Sequence, residues 1–142
     1  MQGFDHIAPL ANTPMILLRL AFCSMVAILF LQSSLDKLFN WKGEKEYLTG
    51  HFAKSPLKGT VPLLLPVIII IELLAGGFSA AGFFQVLLMR GTVLGFLGMC
   101  FGTAAIIMLF FGQRVAKDYA GAASLIPYFL MCAAGMWVFL TN

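Results

Sequence analysis

The run from Leu17 to Leu38, LLRLAFCSMVAILFLQSSLDKL, constrains this chain more than any other stretch. At about 1.5 Å of rise per residue it makes a helix roughly 30 Å long, the thickness of a bilayer's hydrocarbon core. Arg19 sits near one end, and Gln32, Ser33, Ser34, Asp36 and Lys37 crowd the other. Ionisable groups at membrane depth are costly unless they are paired, hydrated or able to snorkel. Whatever packs around this helix must therefore meet those charges.

The remaining sequence supplies three more stretches of the same kind. Of the 142 residues 61% are hydrophobic and only 11% charged, where a soluble domain carries about a quarter. The reading is an all-α, integral membrane four-helix bundle occupying residues 1–142 as a single domain. Its spans fall at about 14–40, 61–84, 92–111 and 120–140. The N-terminus has no Lys or Arg and no small-residue cleavage site, so the first span reads as retained. Asn12 or Thr13 is placed to cap that span, with Pro14 in its tolerant first turn.

Residues 42–60 form the longest hydrophilic region. Within it Tyr47, Leu48, His51 and Phe52 recur at helical spacing, predicting a short amphipathic helix at the interface between spans 1 and 2. His51 reads as an interfacial histidine without a partner. Pro66 is expected to bend the second span locally. Pro127 is expected to interrupt the fourth, with Ser124 or a water serving the freed carbonyl of Ala123. Gly91, Gly95, Gly98 and Gly102 give small-xxx-small spacing in the third span, a pattern that serves internal packing or a homo-oligomer contact. Cys23, Cys100 and Cys132 all lie in apolar stretches with neither CxxC nor metal spacing, so they read as small buried residues and no metal is expected.

Seven basic residues, Lys37, Lys42, Lys45, Lys54, Lys58, Arg114 and Lys117, fall at the side of the first and third connections, against Arg19 and Arg90 opposite. The positive-inside rule puts those two loops in the cytoplasm and both termini outside. The scattered charges do not suggest nucleic-acid binding; membrane lipids are the expected surroundings.

Glu72 lies about ten residues, roughly 15 Å, into the second span. It shares a face with Leu65, Ile68, Ala75, Gly76 and Ser79, which points it into the bundle. On a helical wheel Arg19, Cys23, Val26, Phe30, Ser33 and Lys37 form one stripe, with Gln32 and Asp36 adjacent. Counted inward from the basic side, Asp36 and Lys37 are near the surface, Gln32 and Tyr128 deeper, and Glu72 deepest, while Arg114, Lys117 and Asp118 close the same end. Arg19 stands apart near the opposite interface, too far to pair with Glu72. Two readings of this cluster stay open. In one, Asp36, Lys37 and the 114–118 loop are interfacial anchors and Glu72 is a protonated carboxylic acid hydrogen-bonded to a neighbouring helix. In the other, Glu72, Gln32 and Tyr128 line a one-sided polar pocket that binds a quinone or lipid head or relays a proton.

These motifs resemble the DoxX family of small four-span membrane proteins. The resemblance rests on Leu17-Leu18-Arg19-Leu20, on Gln32-Ser33-Ser34-Leu35-Asp36-Lys37-Leu38, and on Glu72-Leu73-Leu74-Ala75-Gly76-Gly77. The segments Phe39-Asn40-Trp41-Lys42-Gly43 and Gly112-Gln113-Arg114-Val115-Ala116-Lys117-Asp118-Tyr119-Ala120-Gly121 look like the Bacteroidetes-type members. The likeness covers residues 15 to 140 or so, and implies an accessory subunit of a bacterial inner-membrane oxidoreductase system, with quinone as its implied cofactor and a redox enzyme as its implied partner. The family's namesakes are the small subunits of thiosulfate:quinone oxidoreductase. Lacking paired cysteines, this chain departs from a self-contained thiol enzyme, so a binding or scaffolding role is expected. Two other classes compete: a small proton-coupled transporter using Glu72, and an assembly factor with no ligand.

Overall fold

The computed structural model describes residues 12–141. The reading that the N-terminus lacks a cleavage site falls mostly on residues 1–11, which lie outside the described residues. Six helices follow in order: α1 (Thr13–Phe39), α2 (Trp41–His51), α3 (Val61–Leu87), α4 (Val93–Val115), α5 (Tyr119–Ser124) and α6 (Ile126–Leu140). Helices α1, α3 and α4 and the combined α5–α6 segment are each long and apolar enough to cross a bilayer. The chain is a multi-pass membrane protein built as a four-helix bundle.

The spans match the expected ones in number and place, and differ at their ends. Helix α3 runs on to Leu87 and α4 to Val115, so the return before α5 is only residues 116–118. Pro14 and Pro62 sit in first turns, where the missing N–H costs nothing. Asn12 and Thr60 occupy the N-cap positions of α1 and α3 without a side-chain capping bond. Helix α3 continues through Pro66. Pro127 has the expected larger effect, dividing the fourth span at Leu125. The compensation differs from that expected, because Ser124 Oγ donates to the Gly121 carbonyl rather than to that of Ala123.

The bundle is held by close contact, since lipid tails are as apolar as the side chains they would replace. Helix α3 packs against α1 on one side and α4 on the other, and α4 carries α6. Cys23, Val26 and Phe30 of α1, Leu65 and Ala75 of α3, Met99 and Ala105 of α4 and Cys132 of α6 are all buried at the centre. Gly95, Gly98 and Gly102 are buried inside this packing, against Phe139, Ser79 and Phe30 respectively. They are thus not an outward face for a second copy. Gly91 plays a different part: it is exposed, with φ of 120°, in the turn from α3 to α4. There Gln85 Oε1 accepts the Leu94 N–H at 3.0 Å and caps the start of α4.

Arg19 ties the opposite end together. Its guanidinium donates to the Thr141 carbonyl and, at 3.4 Å, to that of Val138, and lies 5.9 Å from the Phe139 ring centroid. It therefore serves the orphan carbonyls at the C-terminus of α6, where a cation also suits the helix dipole. Arg19→Met is expected to cost about 1–2 kcal/mol, measured as thermal unfolding in detergent, with the other helix contacts retained.

Candidate functional site

The polar residues anticipated as one cluster form two. The first lies between α1 and α3. Ser33 and Lys37, one helical turn apart on α1, both face Glu72 of α3. Lys37 Nζ is 3.2 Å from Glu72 Oε2 and 3.3 Å from Oε1. It also donates to Ser33 Oγ at 2.7 Å, while that hydroxyl donates to Glu72 Oε1 at 3.1 Å. Glu72 is only 1% exposed and the Lys37 side chain 16%.

The expected depth ladder, with Lys37 near the surface and Glu72 well below it, is corrected by the register of the two helices. Ser33 is level with Glu72, and Leu31 packs on Gly76. Helix α3 therefore starts about five residues, or 7 Å, beyond the end of α1, and its first turns are clad by α2 and the following loop instead. Measured from the end of α1, Glu72 is about 9 Å deep, within reach of a lysine in the last turn.

Gln32 and Asp36 do not join this group. They pair with each other on the exposed side of α1, Gln32 Nε2 donating to Asp36 Oδ2 at 3.4 Å. Tyr128 is also outside it, 41% exposed on the surface of α6. The register of that helix, with Gly102 against Cys132 and Gly135 against Met99, directs its small residues to α4 and leaves Tyr128 facing outward.

The second cluster is at the basic end, where α2 packs on α3 and the side chain of its last residue, His51, reaches the end of α4. His51 Nε2 is 2.6 Å from Gln113 Oε1 and 3.7 Å from Asp118 Oδ2. An amide oxygen can only accept, so Nε2 carries the proton in that bond. In the neutral ring Nδ1 is then an acceptor, and among the described residues it has no partner. Tyr47 stacks on the imidazole at 5.5 Å and Phe52 meets it edge-on at 5.3 Å. Asp118 also accepts the Gly121 N–H at 2.9 Å, capping α5. Of the other residues placed at this end, Arg114 lies 4.5 Å from the Tyr119 ring centroid, and exposed Lys117 takes a positive φ of 61° in the turn.

Below His51 is a cavity of about 200 Å³. Its walls are apolar, from Phe52, Leu57, Leu64, Ile68, Met108 and Leu109 among others, and His51 and Gln113 form part of its lining. A few polar groups converging on an apolar hollow is the usual form of a small-molecule site. His51 and Gln113 were not among the expected site residues. The helical recurrence of Tyr47, Leu48, His51 and Phe52 was the available signal, and it reads equally well as a lipid-facing stripe. Among the described residues no group of three His, Cys, Asp or Glu side chains is arranged to hold a metal ion. Cys23 and Cys132 are fully buried, and Cys100 Sγ lies 3.6 Å from Met136 Sδ.

Comparison with protein-family models, characterised proteins and solved structures returns no match.

Proposed function

We propose that the chain is an accessory, non-catalytic subunit of a bacterial inner-membrane oxidoreductase system, DoxX-like in kind, that holds a quinone in the cavity beside His51. In this reading α2, Arg114 and Lys117 face the cytoplasm and both termini lie outside, with the redox enzyme as the protein partner. The observation that carries it is the pairing of His51 with Gln113 at the edge of an otherwise apolar cavity. A quinone is an apolar ring and tail with carbonyl oxygens, and the residues present fit that division. The walls take the ring and the first part of the tail. His51 offers the one nitrogen that Gln113 leaves unused: Nδ1 accepts from a hydroxyl of the reduced form and, in the imidazolium form, donates to a quinone carbonyl. When bound, a quinone supplies reversible uptake of electrons and protons; the chain's part is to bind it, exclude water, and give or take a proton at His51.

Equilibrium binding of decylubiquinone to the purified chain in nanodiscs tests this. Saturable binding is expected, weakened about tenfold by His51→Leu, the loss of one hydrogen bond or roughly 1.4 kcal/mol. Ile68→Trp, which fills the cavity, is expected to abolish it. Absence of saturable binding, together with no redox enzyme retained on the chain from native membranes, overturns the reading.

A further inference from the structure

The Lys37–Glu72 pair has no part in the quinone reading, and its two N–O separations are longer than the contact from the same ammonium to Ser33. A charge-assisted bond between ammonium and carboxylate runs to about 2.7–2.9 Å. Here both carboxylate oxygens are farther from Nζ, at 3.2 and 3.3 Å, and the short contact goes to Ser33 Oγ at 2.7 Å. Glu72 Oε2 is fully buried and receives no aligned hydrogen bond. The Ser33 carbonyl completes the set at 3.4 Å. Four oxygens, two of them from one carboxylate, thus surround a point where a positive charge resides, and the ammonium there satisfies the carboxylate incompletely.

Oxygen sets of carboxylate, hydroxyl and backbone carbonyl are the ligands of hard cations. The single negative charge matches a monovalent ion, whereas a divalent one would leave an excess positive charge in the bilayer. The occupant can also leave. Lys37 stands in the last turn of α1, beside exposed Asp36 and Leu38, and its long stem reaches the interface by a change of rotamer.

We propose that Glu72 and Ser33 form an intramembrane site for sodium or potassium ion, in which the Lys37 ammonium is a tethered competitor. The site is independent of the cavity beside His51, and either can fail without the other. Removing the competitor exposes it. Lys37→Ala in nanodiscs, titrated with NaCl or KCl against choline chloride at fixed ionic strength, is expected to gain several degrees in thermal midpoint by mass action. The double variant Lys37→Ala/Glu72→Gln is expected to stay flat. Equal insensitivity of both variants to sodium and potassium overturns the proposal. If Lys37→Ala does not fold, the unaltered chain provides the test through amine labelling read by mass spectrometry. Sodium or potassium that enters the site displaces Lys37, so its labelling is expected to rise over that in choline, with exposed Lys54 as the unchanged reference. Labelling of Lys37 that is indifferent to the cation overturns the proposal as well.

Discussion

Lys37→Ala, measured in choline chloride, is expected to destabilise the bundle by about 3–5 kcal/mol, the usual loss when one partner of a buried ion pair is removed. The cost arises at Glu72, which is 1% exposed and would keep only the Ser33 hydroxyl at 3.1 Å. An uncompensated carboxylate inside a membrane bundle must take up a proton, draw in water or push α1 away from α3, and each route gives up native packing. Replacing both partners by apolar residues of similar volume, Lys37→Met/Glu72→Leu, is expected to restore most of the loss, because nothing charged is then left in the interface. Chemical unfolding in mixed micelles of the single and double variants measures this difference. A single variant as stable as the parent would show that the pair at 3.2 Å does not bind α1 to α3.

How far these features could be read from the sequence depended on the range of the interaction. Four spans were legible because about 20 apolar residues in a row leave few alternatives. Glu72 was legible for the same reason, as an acid where acids are costly. The identity of its partner was not. Whether Lys37 or some deeper group meets Glu72 depends on the offset between α1 and α3, which is fixed by Leu31 seating on Gly76 and by the length of loop that α2 occupies. Neither leaves a periodic trace. Residue His51 illustrates the same limit more sharply. Its partner Gln113 is 62 positions away, and only the packing of α2 on α3 brings the two side chains together. Tyr128 failed in the opposite sense: its depth was readable, but depth alone does not say which side of a helix faces the bundle. The division at Pro127 was readable because it is local.

The glycine contacts lead to the other large expected effect. A Cβ at Gly82 would stand 2.5 Å from the Gly95 Cα, and one at Gly98 would stand 2.7 Å from the Ser79 backbone nitrogen. Both obstacles are main chain, which no rotamer can move aside, so α3 and α4 must separate along their whole contact. Gly82→Ala and Gly98→Ala are each expected to cost about 3 kcal/mol, the upper part of the range for overpacking. Gly77 is the internal control: it lies in the same helix with nothing within 4 Å of a Cβ, so Gly77→Ala is expected to be neutral or to gain about 0.5–1 kcal/mol of helix propensity. Thermal unfolding of the three variants in one detergent makes the comparison. Gly76→Ala adds a test that joins this packing to the charged pair. Its Cβ would meet the Leu31 backbone nitrogen at 2.9 Å, which moves α1 off α3 one turn from Glu72. That wedge is expected to loosen Lys37 from the carboxylate and raise its amine labelling, whereas Gly98→Ala, acting on the other side of α3, should destabilise the bundle while leaving Lys37 as protected as before.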